Sequence, residues 1–182
     1  MKILLEGINK MKKVILVVLF AIIIVIFVIY LVIQAEQQER LKLVLDKCVD
    51  GDTAWFYQGE ERIKVRILGI DAPESTNYVE EYGKEASDYT CNLLSNSNNI
   101  YIEYDINSDK YDKYNRVLGW VFVDNNNLSE LLLSKGYAEV KYIYGDYKYI
   151  DDLCIAQKVA YDDKLGIWSI SDYNYEDNYC DS

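Results

Sequence analysis

The chain has 182 residues, with 19 Lys and Arg against 30 Asp and Glu, for a net charge of −11. It contains no His, which excludes Ser-His-Asp and Cys-His catalysis and His-ligated zinc. Cys48, Cys91, Cys154 and Cys180 include no Cys-x-x-Cys pair, so Cys-only zinc is also disfavoured. Chemistry here has to run on carboxylates, Arg, Lys, Tyr and a hard metal ion.

Val14 to Ile33 is an uncharged run of 20 residues. As a helix it would rise about 30 Å, the thickness of a bilayer's hydrocarbon core. Lys2, Lys10, Lys12 and Lys13 precede it, offset only by Glu6. That charge excess predicts a cytoplasmic N-terminus at 1–13, a single transmembrane span at 14–33 and everything after it outside the cell. A cleaved signal peptide is the alternative, although its apolar core is normally shorter and Ala35 offers only a weak cleavage site. Either reading exports the rest, giving a membrane-bound or a secreted domain. Setting aside the four N-terminal Lys and Glu6 leaves 15 basic against 29 acidic residues, a net of −14. A global field of that sign opposes nucleic-acid binding, so any such partner needs a specific site. An even Cys count in an exported domain is compatible with disulfides or with buried thiols, and spacing does not give the pairing.

Residues 34–40 read as a polar linker. Leu41, Leu43 and Leu45 then alternate with polar residues, Thr53–Tyr57 is short and aromatic, and Arg62–Leu68 alternates strictly. These predict three strands, with Gln58-Gly59-Glu60 as a hairpin turn. Gly69–Val79 is a loop, and Lys84–Leu94 a helix with apolar positions near Ala86, Tyr89 and Leu93. Strands follow at Ile100–Tyr104 and Val117–Val123. Leu128–Leu133 is a second helix with Gly136 as its C-terminal stop, Ala138–Tyr144 is extended, and Ile150–Lys164 is a third helix ended by Gly166. The tail, 169–182, reads as polar and poorly ordered apart from Cys180. The predicted class is α+β: a five-stranded OB-fold barrel at 41–168 with three packed helices, preceded by one transmembrane helix.

Three segments carry candidate chemistry. Asp50-Gly51-Asp52-Thr53 lies where one strand turns into the next, Asp71-Ala72-Pro73-Glu74 follows Arg66, and Asp112–Arg116 enters a later strand. If adjacent strands bring these together, three carboxylates and an Arg meet at one barrel edge. Oxygen donors of this kind suit calcium. Arg66 and Arg116, two of four Arg beyond the span, offer planar forks for phosphate oxygens. Metal, acid and paired Arg suffice for phosphodiester hydrolysis without His.

Val49–Thr53, Val65–Glu74, Glu81–Ser87, Asp112–Arg116, Gly136–Ala138, Tyr142–Tyr144 and Leu165–Trp168 together resemble the signature segments of the thermonuclease, or staphylococcal-nuclease-like, family. The resemblance spans Leu41 to Trp168 and implies the OB barrel with three helices. It implies that Asp52 and Asp71 ligate Ca2+ by side chain and Ala72 by its carbonyl, with Asp50 supporting through water. Glu74 would activate the attacking water, and Arg66 and Arg116 would hold the scissile phosphate. Lys113 and Tyr114 resemble contacts to a terminal phosphate, and Tyr142 and Tyr144 the lining of a base pocket. Asn115 stands where the family has Gly, in a turn that Asn tolerates. The implied activity is a monomeric, calcium-dependent extracellular nuclease that cuts DNA and RNA with little sequence preference and leaves 3′-phosphate ends. The alternative is a non-catalytic OB-fold nucleic-acid-binding module anchored at the cell surface.

Overall fold

A computed structural model describes residues 2–35, 40–76, 78–171, 173 and 180. The chain divides into two units, Met1–Glu39 and Arg40–Ser182. The first unit is one helix, α1 (Lys2–Ala35), 34 residues long. Its most apolar stretch is Met11–Tyr30, 20 residues with mean hydropathy 3.2 and no burial within the protein. By length and composition it could cross a membrane. The apolar window starts three residues earlier than the span read from sequence, because it tolerates Lys12 and Lys13 at its edge. Expectations for linker residues 36–39 and for most of the 169–182 tail lie outside the described residues.

The second unit contains, in chain order, β1 (Leu41–Cys48), β2 (Thr53–Gln58), β3 (Glu61–Ile67), β4 (Ile70–Asp71), α2 (Gly83–Asn96), β5 (Ile100–Glu103) and β6 (Val117–Val123). It continues with β7 (Asn126–Asn127), α3 (Leu128–Ser134), β8 (Glu139–Val140) and α4 (Ile150–Asp162), then a 3-10 turn at Gly166–Ser169. The main sheet runs β3-β2-β1-β5-β6-β7, and a parallel β3–β6 pairing closes its five long strands into the expected OB-like barrel. That closure places Val65 beside Val117 and Arg66 beside Leu118. β1 slips register between Leu45 and Lys47. Such a bulge bends a strand, so the start of β1 pairs with β5 and its end with β2.

Strand alternation separates the faces as read: Ile63, Val65 and Ile67 are buried and Arg62 is exposed. Phe56, Val65, Ile102 and Val121 belong to the barrel core, Trp120 points to the opposite face of β6 against Tyr147 and Tyr149, and Leu128, Leu132, Leu133 and Leu153 bring α3 and α4 into the same cluster. Trp120 is fully buried, yet its indole N–H is satisfied because it donates to Asp105 Oδ2 at 2.9 Å. Glu103, buried on the same side of the chain's fold, accepts from Lys148 Nζ at 2.7 Å and Tyr149 OH at 2.9 Å and pairs with Arg40 at 3.1 Å. A buried carboxylate is tolerated only with such partners.

The helices differ from the sequence reading in detail. α2 buries Gly83, Ala86, Thr90 and Leu94, one position further round than the Ala86-Tyr89-Leu93 stripe. Thr90 can be fully buried because its hydroxyl donates to Gly51 O at 2.7 Å. α3 begins at Asn127, whose side chain accepts from Ser129 N at 3.0 Å, an N-cap. Gly136 follows α3 at φ +66°, and a Cβ there would lie 2.1 Å from Leu165 O; only Gly fits. The loop Gly69–Val79 also contains β4, which pairs with β8 through Ile70↔Val140 and Asp71↔Glu139. A two-residue strand is too short for a period-two signal, which is why β4 reads as loop from sequence, whereas β8 lies within the Ala138–Tyr144 stretch that reads as extended.

All four Cys are paired, Cys48 with Cys91 and Cys154 with Cys180, across 43 and 26 residues of sequence. The first joins the end of β1 to α2, next to Thr90. Closing a loop of 43 residues lowers the entropy of the unfolded chain by the equivalent of about 4 kcal/mol. Cys48→Ser/Cys91→Ser should therefore lose about that much stability in urea unfolding. The wild type in excess reductant should lose at least as much. Coincident unfolding curves for variant and wild type would show that the bridge does not form.

Candidate active site

The tight turn between β1 and β2 carries Asp50, Gly51 and Asp52. Val49 N and Asp50 N both donate to Thr53 O, at 3.1 and 3.2 Å. Gly51 is forced by close approach, since a Cβ there would lie 2.6 Å from Ala72 Cβ. The Cys48–Cys91 bridge and the Thr90–Gly51 hydrogen bond pin this turn to α2. Asp52 is consequently buried, at 5% exposure. Its Oδ1 accepts from Thr53 Oγ1 at 2.9 Å and its Oδ2 from Ala72 N at 3.0 Å. Asp50 Oδ1 accepts from Asp52 N at 3.2 Å.

Arg66, at the end of β3, is 7% exposed. Its Nη1 lies 2.8 Å from Asp52 Oδ2, and its Nη2 lies 2.9 Å from Asp71 Oδ1. Nη1 also donates to Ile70 O at 2.8 Å. It is therefore no solvated surface Arg but the cation between two carboxylates. Burial pushes the Asp52 carboxyl up to about 6; Arg66 pulls it down, Asp50 raises it further, and burial wins. A desolvated carboxylate is stabilised by positive charge placed against it.

The sequence reading brings three carboxylates to one edge. Two of them, Asp52 and Asp71, meet directly on Arg66, and Asp50 joins through the backbone of Asp52. Among the described residues no three acidic side chains form a ready cation cage. The donor set still fits a hard cation. Three carboxylates lie within one turn and one short strand, and a guanidinium already occupies the place between two of them, as a cation would.

Asp71 is held in turn by β8. Its Oδ2 lies 3.4 Å from both Lys141 Nζ and Tyr142 OH. Lys141 also donates to the buried Glu139 at 2.8 Å. Burial works to lower the Lys141 ammonium, but Glu139 and Asp71 together outweigh it and raise it. Tyr142 adopts φ +61° and presents its ring 5.5 Å from the Arg66 guanidinium. Glu139 and Lys141 were not singled out from sequence. Their role depends on the β4–β8 pairing, which leaves no periodic signal.

The parallel register of β3 and β6, continued one residue back, sets Arg116 level with Lys64 and on the side of Arg66. Two residues along and one strand across separate the Arg66 and Arg116 backbones by about 8 Å. Asp112 orders Arg116, accepting from its Nε at 2.6 Å and its backbone N at 2.8 Å. Among the described residues its two terminal nitrogens have no acceptor. Asn115 sits at φ +61°, the left-handed conformation expected of it. Tyr114 is 69% exposed, with Arg116 5.5 Å and Lys113 5.0 Å from its ring centre. Tyr144 is 82% exposed. Glu74 is exposed, and its loop is tied by Glu74 N to Glu80 Oε2 and by Glu80 N to Glu74 O, both at 2.9 Å. No contact of its side chain with Arg66 or Asp52 brings it into the cluster.

Residues 64–170 match the family model described as staphylococcal nuclease homologue. The stretch includes every candidate residue except Asp50 and Asp52. Endonuclease YncB of Bacillus subtilis (strain 168) is 38% identical over 141 residues, 75% of this chain and 66% of that protein. The SPbeta prophage-derived endonuclease YokF of the same organism is 38% identical over 140 residues, 75% of this chain but 47% of that protein. This chain thus spans about two thirds of the first relative and about half of the second. Thermonuclease of Staphylococcus hyicus is 35% identical over 126 residues, covering 68% of this chain and 73% of that protein. A family match over more than half the chain, on a closed five-stranded barrel with an Arg-bridged acidic edge, shows that the chain belongs to the staphylococcal nuclease homologue family.

Proposed function

We propose that the chain is a calcium-dependent nuclease that hydrolyses phosphodiester bonds of DNA and RNA with little sequence preference, leaving 3′-phosphate ends. The observation that carries this reading is Arg66, buried between Asp52 and Asp71 and on the same face as Arg116, which the β3–β6 register sets two residues along and one strand across. The names of the relatives, endonuclease and thermonuclease, agree with it. Asp52 and Asp71 would hold the calcium by their side chains and Ala72 by its carbonyl, with Asp50 supporting through water. Bound there, calcium would supply positive charge against the substrate phosphate.

Arg66 and Arg116 grip the phosphate oxygens, whose charge grows in the transition state. A fork aimed at that growing charge lowers the barrier more than it tightens binding. Glu74, on its tied but exposed loop, takes the proton of the attacking water. Lys113 and Tyr114 contact a terminal phosphate. Tyr142 and Tyr144 flank the base, where stacking is indifferent to sequence. We further propose that 14–33 anchors a monomeric catalytic domain, 41–168, at the outer face of the cell membrane; if that segment is cleaved, the domain is secreted.

Three outcomes test this. Arg66→Lys, Arg116→Lys and Glu74→Gln should each lower kcat on single-stranded DNA by about 100- to 1000-fold, while the distant Lys158→Gln leaves it unchanged. Thermal melting has to accompany Arg66→Lys, because that residue also neutralises two carboxylates. Wild-type kcat in a folded Arg116→Lys would remove the paired-Arg reading. Chelation should abolish cleavage, calcium restore it and magnesium restore little, because magnesium demands a tighter octahedron than loosely arranged carboxylates provide. Full activity in magnesium alone would reassign the metal. Protease added to intact cells should remove the domain, since the basic flank lies only before the span; complete protection would place it inside.

A further inference from the structure

The sign of the domain's charge, −14 beyond the N-terminal helix, opposes a polyanionic substrate, yet the basic residues are not spread evenly. On β3 the residues Arg62, Lys64 and Arg66 share the face opposite the core, at intervals of about 6.6 Å. That spacing is close to the step between successive phosphates of an extended strand. Pairing across the sheet builds three rungs on this face. Thr53 faces Arg66, Trp55 lies between Lys47 and Lys64, and Tyr57 lies between Val44 and Arg62. Arg116 continues the middle rung from the other side. Five of the fifteen basic residues beyond the span stand here.

Trp55 is half-buried at the centre of the face. The Arg62 guanidinium lies 4.1 Å from its ring centre and the Lys64 ammonium 5.9 Å. Tyr57 beside it is 39% exposed. On this face Asp46 pairs with Arg62 at 2.7 Å, Asp52 and Asp71 hold Arg66, and Asp112 holds Arg116. Among the described residues Lys47 and Lys64 have no acidic partner. Cations interleaved with an indole and a phenol are the composition of a stacking surface for unpaired bases, with phosphates following the charges.

We propose that the outer face of β1, β2 and β3 is a binding track for single-stranded nucleic acid. Trp55 stacks a base, Lys47 and Lys64 hold the flanking phosphates, and the track delivers the strand to Arg66 and Arg116. The proposal deepens the nuclease reading and rests on it for its purpose, but binding can be measured without cleavage. A duplex keeps its bases stacked on each other and cannot use Trp55, so the substrate preferred by this face is unpaired.

The test uses the full chain in a neutral detergent with chelator present, and a labelled oligothymidylate of about twelve nucleotides, within the site sizes of OB folds. Binding is read by fluorescence anisotropy across a salt series. Trp55→Ala should weaken binding at least about 5-fold, and Trp55→Phe should recover most of it. Lys47→Gln/Lys64→Gln, a surface change that spares the core, should lower the log–log salt slope by about 1.4. In calcium, all three should show a raised KM on the long strand, Trp55→Phe the least. Unchanged affinity in folded Trp55→Ala and Lys47→Gln/Lys64→Gln proteins would overturn the track, as would a wild type that binds no oligothymidylate or binds a duplex equally well. If no nucleic acid is cleaved but Trp55-dependent binding persists, the nuclease reading falls and the track stands. If cleavage is intact and KM on the long strand is the same in every variant, the track falls and the nuclease stands.

Discussion

Arg66 is a cation held out of water between two carboxylates, 2.8 Å from Asp52 and 2.9 Å from Asp71, and the surrounding structure is arranged to keep it there. Desolvating a guanidinium and a carboxylate is costly, so the pairing depends on the further hydrogen bonds that its members make. Asp52 has Thr53 and the Ala72 amide, and Arg66 has the Ile70 carbonyl. Asp71 has Lys141 and Tyr142. Removing one member strands the others, a loss on the order of 3–5 kcal/mol for a buried pair. The same dependence brings together segments that are far apart in sequence, because the β1–β2 turn, β3, β4 and the residues just after β8 all contribute partners.

The pinning of the Asp50–Thr53 turn follows from that requirement. Pairing Asp52 with Arg66 at 2.8 Å requires its carboxylate to be held in place, and a free turn would not hold it so. Gly51 packs against Ala72, Thr90 bonds the Gly51 carbonyl, and the Cys48–Cys91 bridge anchors the strand end. A scaffold that locks the side chains around a charged centre is what phosphoryl chemistry exploits, since aligned charges need no rearrangement when the transition state forms. The second buried acidic group contrasts with it. Glu103 and Asp105 are saturated by Lys148, Tyr149, Arg40 and the Trp120 indole. They tie β5 and the residues after it to Arg40, to β6 and to the segment before α4.

Charge distribution bears on how an acidic domain could take the polyanionic substrate proposed for it. Net charge governs the far field, which salt screens within about 10 Å. Contact is governed by what stands on the face concerned, and there Arg62, Arg66 and Arg116 are each paired with Asp side chains, while Lys47 and Lys64 have no acidic partner among the described residues. Trp55 and Tyr57 add stacking, which salt does not screen.

Much of this was legible in the amino-acid sequence. The apolar N-terminal run, the alternation of Arg62–Leu68, the three core helices, and the motif residues Asp52, Arg66, Asp71 and Asn115 all express local rules of period, propensity and turn geometry. Those rules act over a few residues and leave their mark in composition. What the sequence could not determine is non-local. The Cys pairing depends on which strand end meets which helix. The choice of Thr90 over Tyr89 on the buried face of α2 depends on the Gly51 carbonyl opposite it. The places of Glu139 and Lys141 depend on a two-residue pairing of β4 with β8. Arg66 itself reads as the exposed member of an alternating strand, and only the closing of the barrel, with the turn and β4 folded over that strand end, converts it into a buried bridge. Local chemistry named the residues; long-range packing decided which of them lose water together, and that loss gives the site its charge and its reach.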